Sequence, residues 1–151
     1  MGRSRKQVSR PESGKGCSFR PILTQGVSAP PYSPGTAAAG LVFVSGQRPV
    51  DATSGVIPDG FAAQAHQVFR NLVAVLEAGR SSLDRVVKVN VYLADLQHFA
   101  ELNAIYEQYF RRPYPARTTV GCSLRGILIE VDAVALERER IGKEETDGVV
   151  S

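Results

Sequence analysis

The 151-residue sequence predicts an α+β domain in which two helices cover one face of a β-sheet. Three observations carry that prediction. Two segments, beginning near Phe61 and Leu96, repeat apolar residues at helical spacing. Compact or alternating apolar runs precede, separate and follow them, as strands do. Glycine, proline and aspartate mark the joints between these runs.

The elements follow in order. Leu41-Val42-Phe43-Val44-Ser45-Gly46 is an apolar run ending in glycine, the pattern of a buried strand. Asp51-Ala52-Thr53-Ser54-Gly55 supplies turn residues straight after Pro49-Val50. Beyond Asp59-Gly60, Phe61, Ala65, Val68, Phe69, Leu72, Val73 and Leu76 fall on one helical stripe, with Gln64, Gln67 and Arg70 outside it. Gly79 stops that helix. Val86, Lys88, Asn90 and Tyr92 alternate with Val87, Val89, Val91 and Leu93, giving a half-buried strand. Asp95 caps a second helix whose apolar side holds Leu96, Phe99, Leu102, Tyr106 and Phe110 or Tyr109. Arg111-Arg112-Pro113 ends it.

Residues 115–120 and 127–133 read as two closing strands joined by a tight turn at Leu124-Arg125-Gly126. Pairing Val120 and Cys122 opposite Ile129 and Ile127 sorts their side chains by parity. Thr118, Val120, Cys122, Ile127, Ile129, Val131 and Ala133 then form a core face. Arg117, Thr119, Glu130 and Asp132 share the other. Two helices cover one face of such a sheet, and Arg117, Glu130 and Asp132 do not suit a dry core. The uncovered face therefore predicts a homo-oligomer with sites near subunit boundaries.

Length fits one domain with a real core. With 43% hydrophobic and 22% charged residues, the composition is that of an ordinary globular chain. No apolar run is long enough to span a membrane. Cys17 and Cys122 give neither a disulfide framework nor metal spacing, so the chain reads as reduced and cytoplasmic. The net charge of +3 resolves into +5 for residues 1–20 and −2 for the remainder. The basic excess thus belongs to a tail, which argues against a nucleic-acid-binding body. The expected organisation is a disordered basic tail at 1–20, a folded domain at 21–138 and a polar tail at 139–151.

Among candidate chemical groups, Arg117 and Glu130 come first. Arginine presents a fork that fits a carboxylate, and a buried glutamate can exchange protons with water or a leaving amine. From spacing alone, a structural salt bridge between them is the stronger reading. Tyr32, in a proline-stiffened segment, is either presented to a pocket or packed on a surface loop. Gly46 offers close backbone approach to a ligand or a simple bulge. Asn103 needs a partner if buried. His66 and His98 lack ligand-spaced neighbours and read as helix-surface residues, and Cys122 reads as a buried inert thiol.

The ordered set of segments resembles the RidA/YjgF family, the reactive intermediate deaminases. It comprises Pro30-Pro31-Tyr32, Val44-Ser45-Gly46-Gln47-Arg48-Pro49-Val50 and Phe61-Ala62-Ala63-Gln64-Ala65, then Val86 to Leu93 and Phe99-Ala100-Glu101-Leu102-Asn103 with Tyr106. Pro115-Ala116-Arg117-Thr118-Thr119-Val120 and Ile129 to Ala135 complete it. The resemblance implies a chorismate-mutase-like fold with a mixed sheet and a homotrimer with clefts between subunits. It further implies hydrolysis of 2-imino acids such as 2-iminobutanoate and 2-iminopropanoate to 2-oxo acids and ammonia. By the same analogy Arg117 clamps the substrate carboxylate and Glu130 activates water, with Tyr32, Gly46, Asn103 and Thr119 lining the cleft. No metal or organic cofactor is implied.

Two departures from the family pattern stand out. Thr119 occupies a place often held by cysteine, and the 121–126 loop is shorter than usual and lacks a Leu-Pro pair. These departures leave room for a larger substrate. The other readings are a non-catalytic 2-oxo acid-binding or regulatory protein, and an RNA-directed activity in ribonuclease or translation-inhibitor style.

Overall fold

The structure, a computed structural model, describes residues 18–24 and 30–139, so all but residues 18–20 and 139 of the tails expected at 1–20 and 139–151 lie outside the described residues. The described residues form six strands: β1 (Arg20–Ile22), β2 (Gly35–Ala38), β3 (Leu41–Gln47), β4 (Val86–Leu93), β5 (Ala116–Gly121) and β6 (Ile129–Leu136). Two helices, α1 (Phe61–Ala78) and α2 (Phe99–Tyr109), accompany them. Ala39 and Gly40 both take positive φ, 52° and 76°, which is the two-residue turn whose twist suits a β2–β3 hairpin.

The strand order is β1-β2-β3-β6-β4-β5, and β4 runs parallel to β5 while all other neighbours are antiparallel. The sheet is therefore mixed, as expected. Helix α1 buries Phe61, Ala65, Val68, Phe69, Leu72 and Leu76 against the inward residues of the sheet, among them Val42, Val89, Val91, Ile129 and Val131. Burying side chains of this size contributes roughly 1.5–3 kcal/mol each before the entropy of ordering them is counted.

The closing hairpin expected from the sequence does not form. Strand β4 lies between β5 and β6, which never pair. Two backbone bonds show how the chain turns the corner around the end of β4: Cys122 N–H donates to Leu93 C=O at 2.9 Å, and Ala94 N–H donates to Leu128 C=O at 3.0 Å. Burial explains the choice. Every second residue of β6, Ile129, Val131, Ala133 and Ala135, is buried, so this strand belongs in the middle of the sheet. Strand β5 leaves Ala116, Thr118 and Val120 exposed and suits an edge.

The swap reverses the expected parity of β5 but not that of β6. Val89 and Val91, both buried under the helices, pair with Arg117 and Thr119, so these two face the helical layer. Asn90 and Tyr92 pair with Thr118 and Val120 on one side and with Asp132 and Glu130 on the other, all on the open face. Cys122 is exposed rather than buried.

Gln64 and Gln67, placed outside the helical stripe by the sequence, are buried. Gln64 spans two segments, donating to Pro58 C=O at 3.0 Å and accepting from Leu128 N–H at 2.8 Å. Gln67 donates to Asn71 Oδ1 and accepts from Arg70. Fully bonded amides can be buried at little cost, whereas bare ones cannot.

Candidate active site

Arg117 projects from the edge strand β5 towards α2. Its Nη2 donates to Asn103 Oδ1 at 2.7 Å. Its guanidinium carbon lies 4.7 Å from the centroid of the Tyr106 ring and 5.6 Å from that of Phe99. Phe99, Asn103 and Tyr106 are four and three residues apart, so one side of α2 carries all three. That side grips the cation through two aromatic rings and one carbonyl, a favourable arrangement. No ion pair to Arg117 exists among the described residues. The cross-strand salt bridge to Glu130 that spacing favoured is therefore not made.

Beside Arg117 opens a cleft of about 270 Å³, lined by Asn103, Tyr106, Glu107, Tyr114, Pro115 and Arg117. Burial pushes the Tyr106 phenol up to about 12, which the nearby Arg117 charge partly counteracts. Thr119, two residues beyond Arg117 on the same face, has a buried hydroxyl without a partner among the described residues, as does Tyr106.

Glu130 stands on the other face of the sheet, opposite Tyr92. A Cβ built on Gly46 would collide with the Glu130 carboxylate, with Cδ at 3.0 Å, so glycine is what admits that carboxylate. The bulge between Val44 and Gln47 brings Gly46 there. Ser45, next to it, is tied to the segment bearing Tyr32: its N–H donates to Pro34 C=O at 3.0 Å and its hydroxyl to Ser33 C=O at 2.7 Å. Tyr32 itself is 62% exposed.

The open face also carries a polar network. Asp132 accepts from Asn90 Nδ2 and from the Tyr92 hydroxyl, each at 2.7 Å. The bond to Asp132, then burial, pushes the Tyr92 phenol up to about 12. Lys88 donates to the Thr118 hydroxyl at 2.6 Å.

The predicted site residues thus fall into two groups. Arg117 and Asn103 meet on the helical face, with Thr119 beside them. Gly46 and Glu130 meet on the open face, with Tyr32 on an adjoining segment. The contributions of Phe99 and Tyr106 were missed in the sequence because their spacing reads as a core stripe. The signal was Asn103 sitting within that stripe.

His66 and His98 are both engaged rather than free on a helix surface. His66 Nδ1 lies 2.8 Å from the Tyr109 hydroxyl, and His98 stacks on Phe61 at 4.2 Å between centroids. A larger groove of about 410 Å³ runs between the 51–58 loop and α1. Its polar groups are already spoken for: Asp51 accepts from Thr53 and Ser54, Arg70 bonds Gln67, and His66 bonds Tyr109. The smaller cleft, whose cation has no ion-pair partner among the described residues, is the better candidate. Among the described residues no group of three or more metal-ligating side chains comes together, and no helix is long and apolar enough to cross a membrane.

Comparison with known proteins places this geometry. The family model described as Endoribonuclease L-PSP matches residues 24–137. Protein HMF1 of Saccharomyces cerevisiae is 44% identical over 81% of this chain and 98% of its own. MMF1 of the same yeast, named as mitochondrial, is 35% identical over 78% of this chain and 92% of its own. The crystal structure of RidA from the Antarctic bacterium Psychrobacter sp. PAMC 21119 superposes with a TM-score of 0.73 at 34% identity, covering 78% of this chain and 99% of that one. In sequence and fold alike, the chain belongs to the RidA/YjgF family, the one described as Endoribonuclease L-PSP.

Proposed function

We propose that this protein hydrolyses 2-imino acids and their enamine tautomers, of the 2-iminobutanoate and 2-iminopropanoate type, to 2-oxo acids and ammonia. The observation that supports this most is Arg117, a cation held by Asn103, Phe99 and Tyr106 beside a cleft, with no carboxylate partner among the described residues. A guanidinium so fixed is suited to take a substrate carboxylate through two hydrogen bonds. Glu130 positions a water and accepts its proton as oxygen adds to the imine carbon. It passes that proton to the imine nitrogen, then moves the hydroxyl proton of the resulting carbinolamine to the amine as the C=O forms and the carbon–nitrogen bond breaks, leaving the 2-oxo acid and ammonia. Orientation and acid–base help of about 10²–10⁴-fold are enough for an already electrophilic carbon, and no metal or organic cofactor enters.

Tyr32, the Gly46 backbone, Asn103 and Thr119 line the same cleft in this reading. Because Arg117 and Glu130 stand on opposite faces of one sheet, one chain does not present both to one ligand. A homotrimer that lays the open face of one copy against the β5 edge of the next brings them together. The working compartment in this reading is the cytoplasm.

Arg117→Ala should remove nearly all ammonia release from freshly generated imines, and Glu130→Gln should keep 2-oxo acid binding while losing rate. Full activity of Arg117→Ala would end the assignment. A regulatory 2-oxo acid-binding protein would use the same cleft, and it is distinguished by binding without turnover. The family's ribonuclease description gives an RNA-directed activity a second claim. Residues 1–20 carry +5 of charge against −2 for the remainder, so their deletion should abolish RNA affinity that rests on the tail.

A further inference from the structure

We infer that Tyr92 is a positioning residue for the Glu130 carboxylate, and that its bond to Asp132 decides which of two neighbouring carboxylates handles protons. The inference rests on the reading of Glu130 as the group that activates water. Strand β6 sends both Glu130 and Asp132 to the open face, opposite Tyr92 and Asn90 of β4. The two carboxylates are held differently. Both oxygens of Asp132 are taken: Oδ1 accepts from Asn90 Nδ2 and Oδ2 from the Tyr92 hydroxyl, each at 2.7 Å. No side chain or backbone group among the described residues donates to the Glu130 carboxylate, and no ion pair includes it. Asp132 is thus occupied, and Glu130 is free to take a proton.

Without bonds of its own, Glu130 is placed by its flanks. Strand β6 lies between β3 and β4. On the β3 side the carboxylate rests against Gly46. On the β4 side Tyr92 is its register partner, which puts the two Cβ atoms roughly 4.5–5.5 Å apart. The Tyr92 hydroxyl reaches diagonally to Asp132, the next residue of β6 on the same face. Its ring therefore runs past the Glu130 side chain and stays there while that bond holds. Asn90, the register partner of Asp132, secures the other oxygen and completes the clip. Breaking the clip loosens one flank of Glu130 and frees a second carboxylate to turn towards the same water.

The test is a double-mutant cycle on the full-length protein, read as kcat and KM for ammonia release from freshly generated 2-iminobutanoate, with the melting temperature beside them. Tyr92→Phe keeps the ring and removes the bond to Asp132. Arg117 stands on the other face, so KM should stay within about twofold. The kcat should fall about tenfold or more, since a misplacement of about 1 Å can cost on the order of 10²-fold. In the Glu130→Gln background the same substitution should change the residual kcat less than about twofold, because the group it positions is gone. Full kcat in Tyr92→Phe, or an equal loss in both backgrounds, would overturn the inference and leave Tyr92 a purely structural residue. If wild type releases no ammonia, the deaminase reading falls and this inference falls with it. If wild type and Tyr92→Phe are equally active, this inference alone falls.

Discussion

Gly46 lies so close against Glu130 that a single added carbon would meet the carboxylate before it met anything else. The obstruction is the far end of a flexible side chain, not backbone. Gly46→Ala should therefore fold, with a stability change within about 1 kcal/mol, but with the carboxylate displaced. Misplacement of a reacting group by about 1 Å can cost on the order of 10²-fold. Imine turnover should fall at least tenfold while the melting temperature barely moves, and calorimetry beside an ammonia-release assay reads both.

Asn103 is the polar anchor of Arg117, and its two variants should differ in an informative way. Asn103→Ala removes one hydrogen bond to a charged group, of order 1.5–3 kcal/mol, so the guanidinium loosens and KM rises about tenfold. Asn103→Asp supplies a carboxylate that pairs with Arg117 and competes with the ligand, so KM should rise further. Added salt should relieve part of the Asp effect, because it screens the new pair. Steady-state kinetics of both variants at two ionic strengths check this.

Tyr92 and Tyr106 give the fold a specific alkaline limit. Each phenol is raised from about 10 to about 12, Tyr92 first by its bond to Asp132 and Tyr106 by burial. The unfolded chain loses these protons near pH 10 and the folded one does not, so stability is undiminished below about 10 and is lost as pH rises towards about 12. Phenolate absorbance should show Tyr92 and Tyr106 titrating late, together with Tyr109, whose phenol burial also pushes up. Asp132→Asn should bring Tyr92 down towards the ordinary value and leave Tyr106 where it is.

The helices and the central strands were legible in the sequence because periodicity reports burial directly. Phe61 to Leu76 repeat every three or four residues, and the structure buries that stripe. The buried glutamines were not legible, since their partners Pro58 and Leu128 are set by tertiary contacts. The closing hairpin failed for a topological reason. Neighbouring strands in sequence usually pair, but β6 is apolar enough on its inner face to take the centre of the sheet, leaving β5 to the edge. That insertion flips β5, sending Arg117 to α2 and Cys122 to solvent. The candidate residues were chosen from their types and order. Their division between two faces was not.

That division is the central claim: Arg117 and Glu130 act on one substrate only across two copies of the chain. Co-expressing Arg117→Ala with Glu130→Gln tests it, since each variant alone should be nearly inactive. In mixed oligomers, an Arg117 from one chain meets a Glu130 from another in roughly a quarter of the sites if subunits assemble at random in a closed ring. Imine hydrolysis should therefore return to about that fraction of wild type when the two variants are assembled together, and not when they are merely mixed as preformed oligomers. If co-assembled variants stay as inactive as either alone, the two residues do not build a shared site across copies, and the account is wrong.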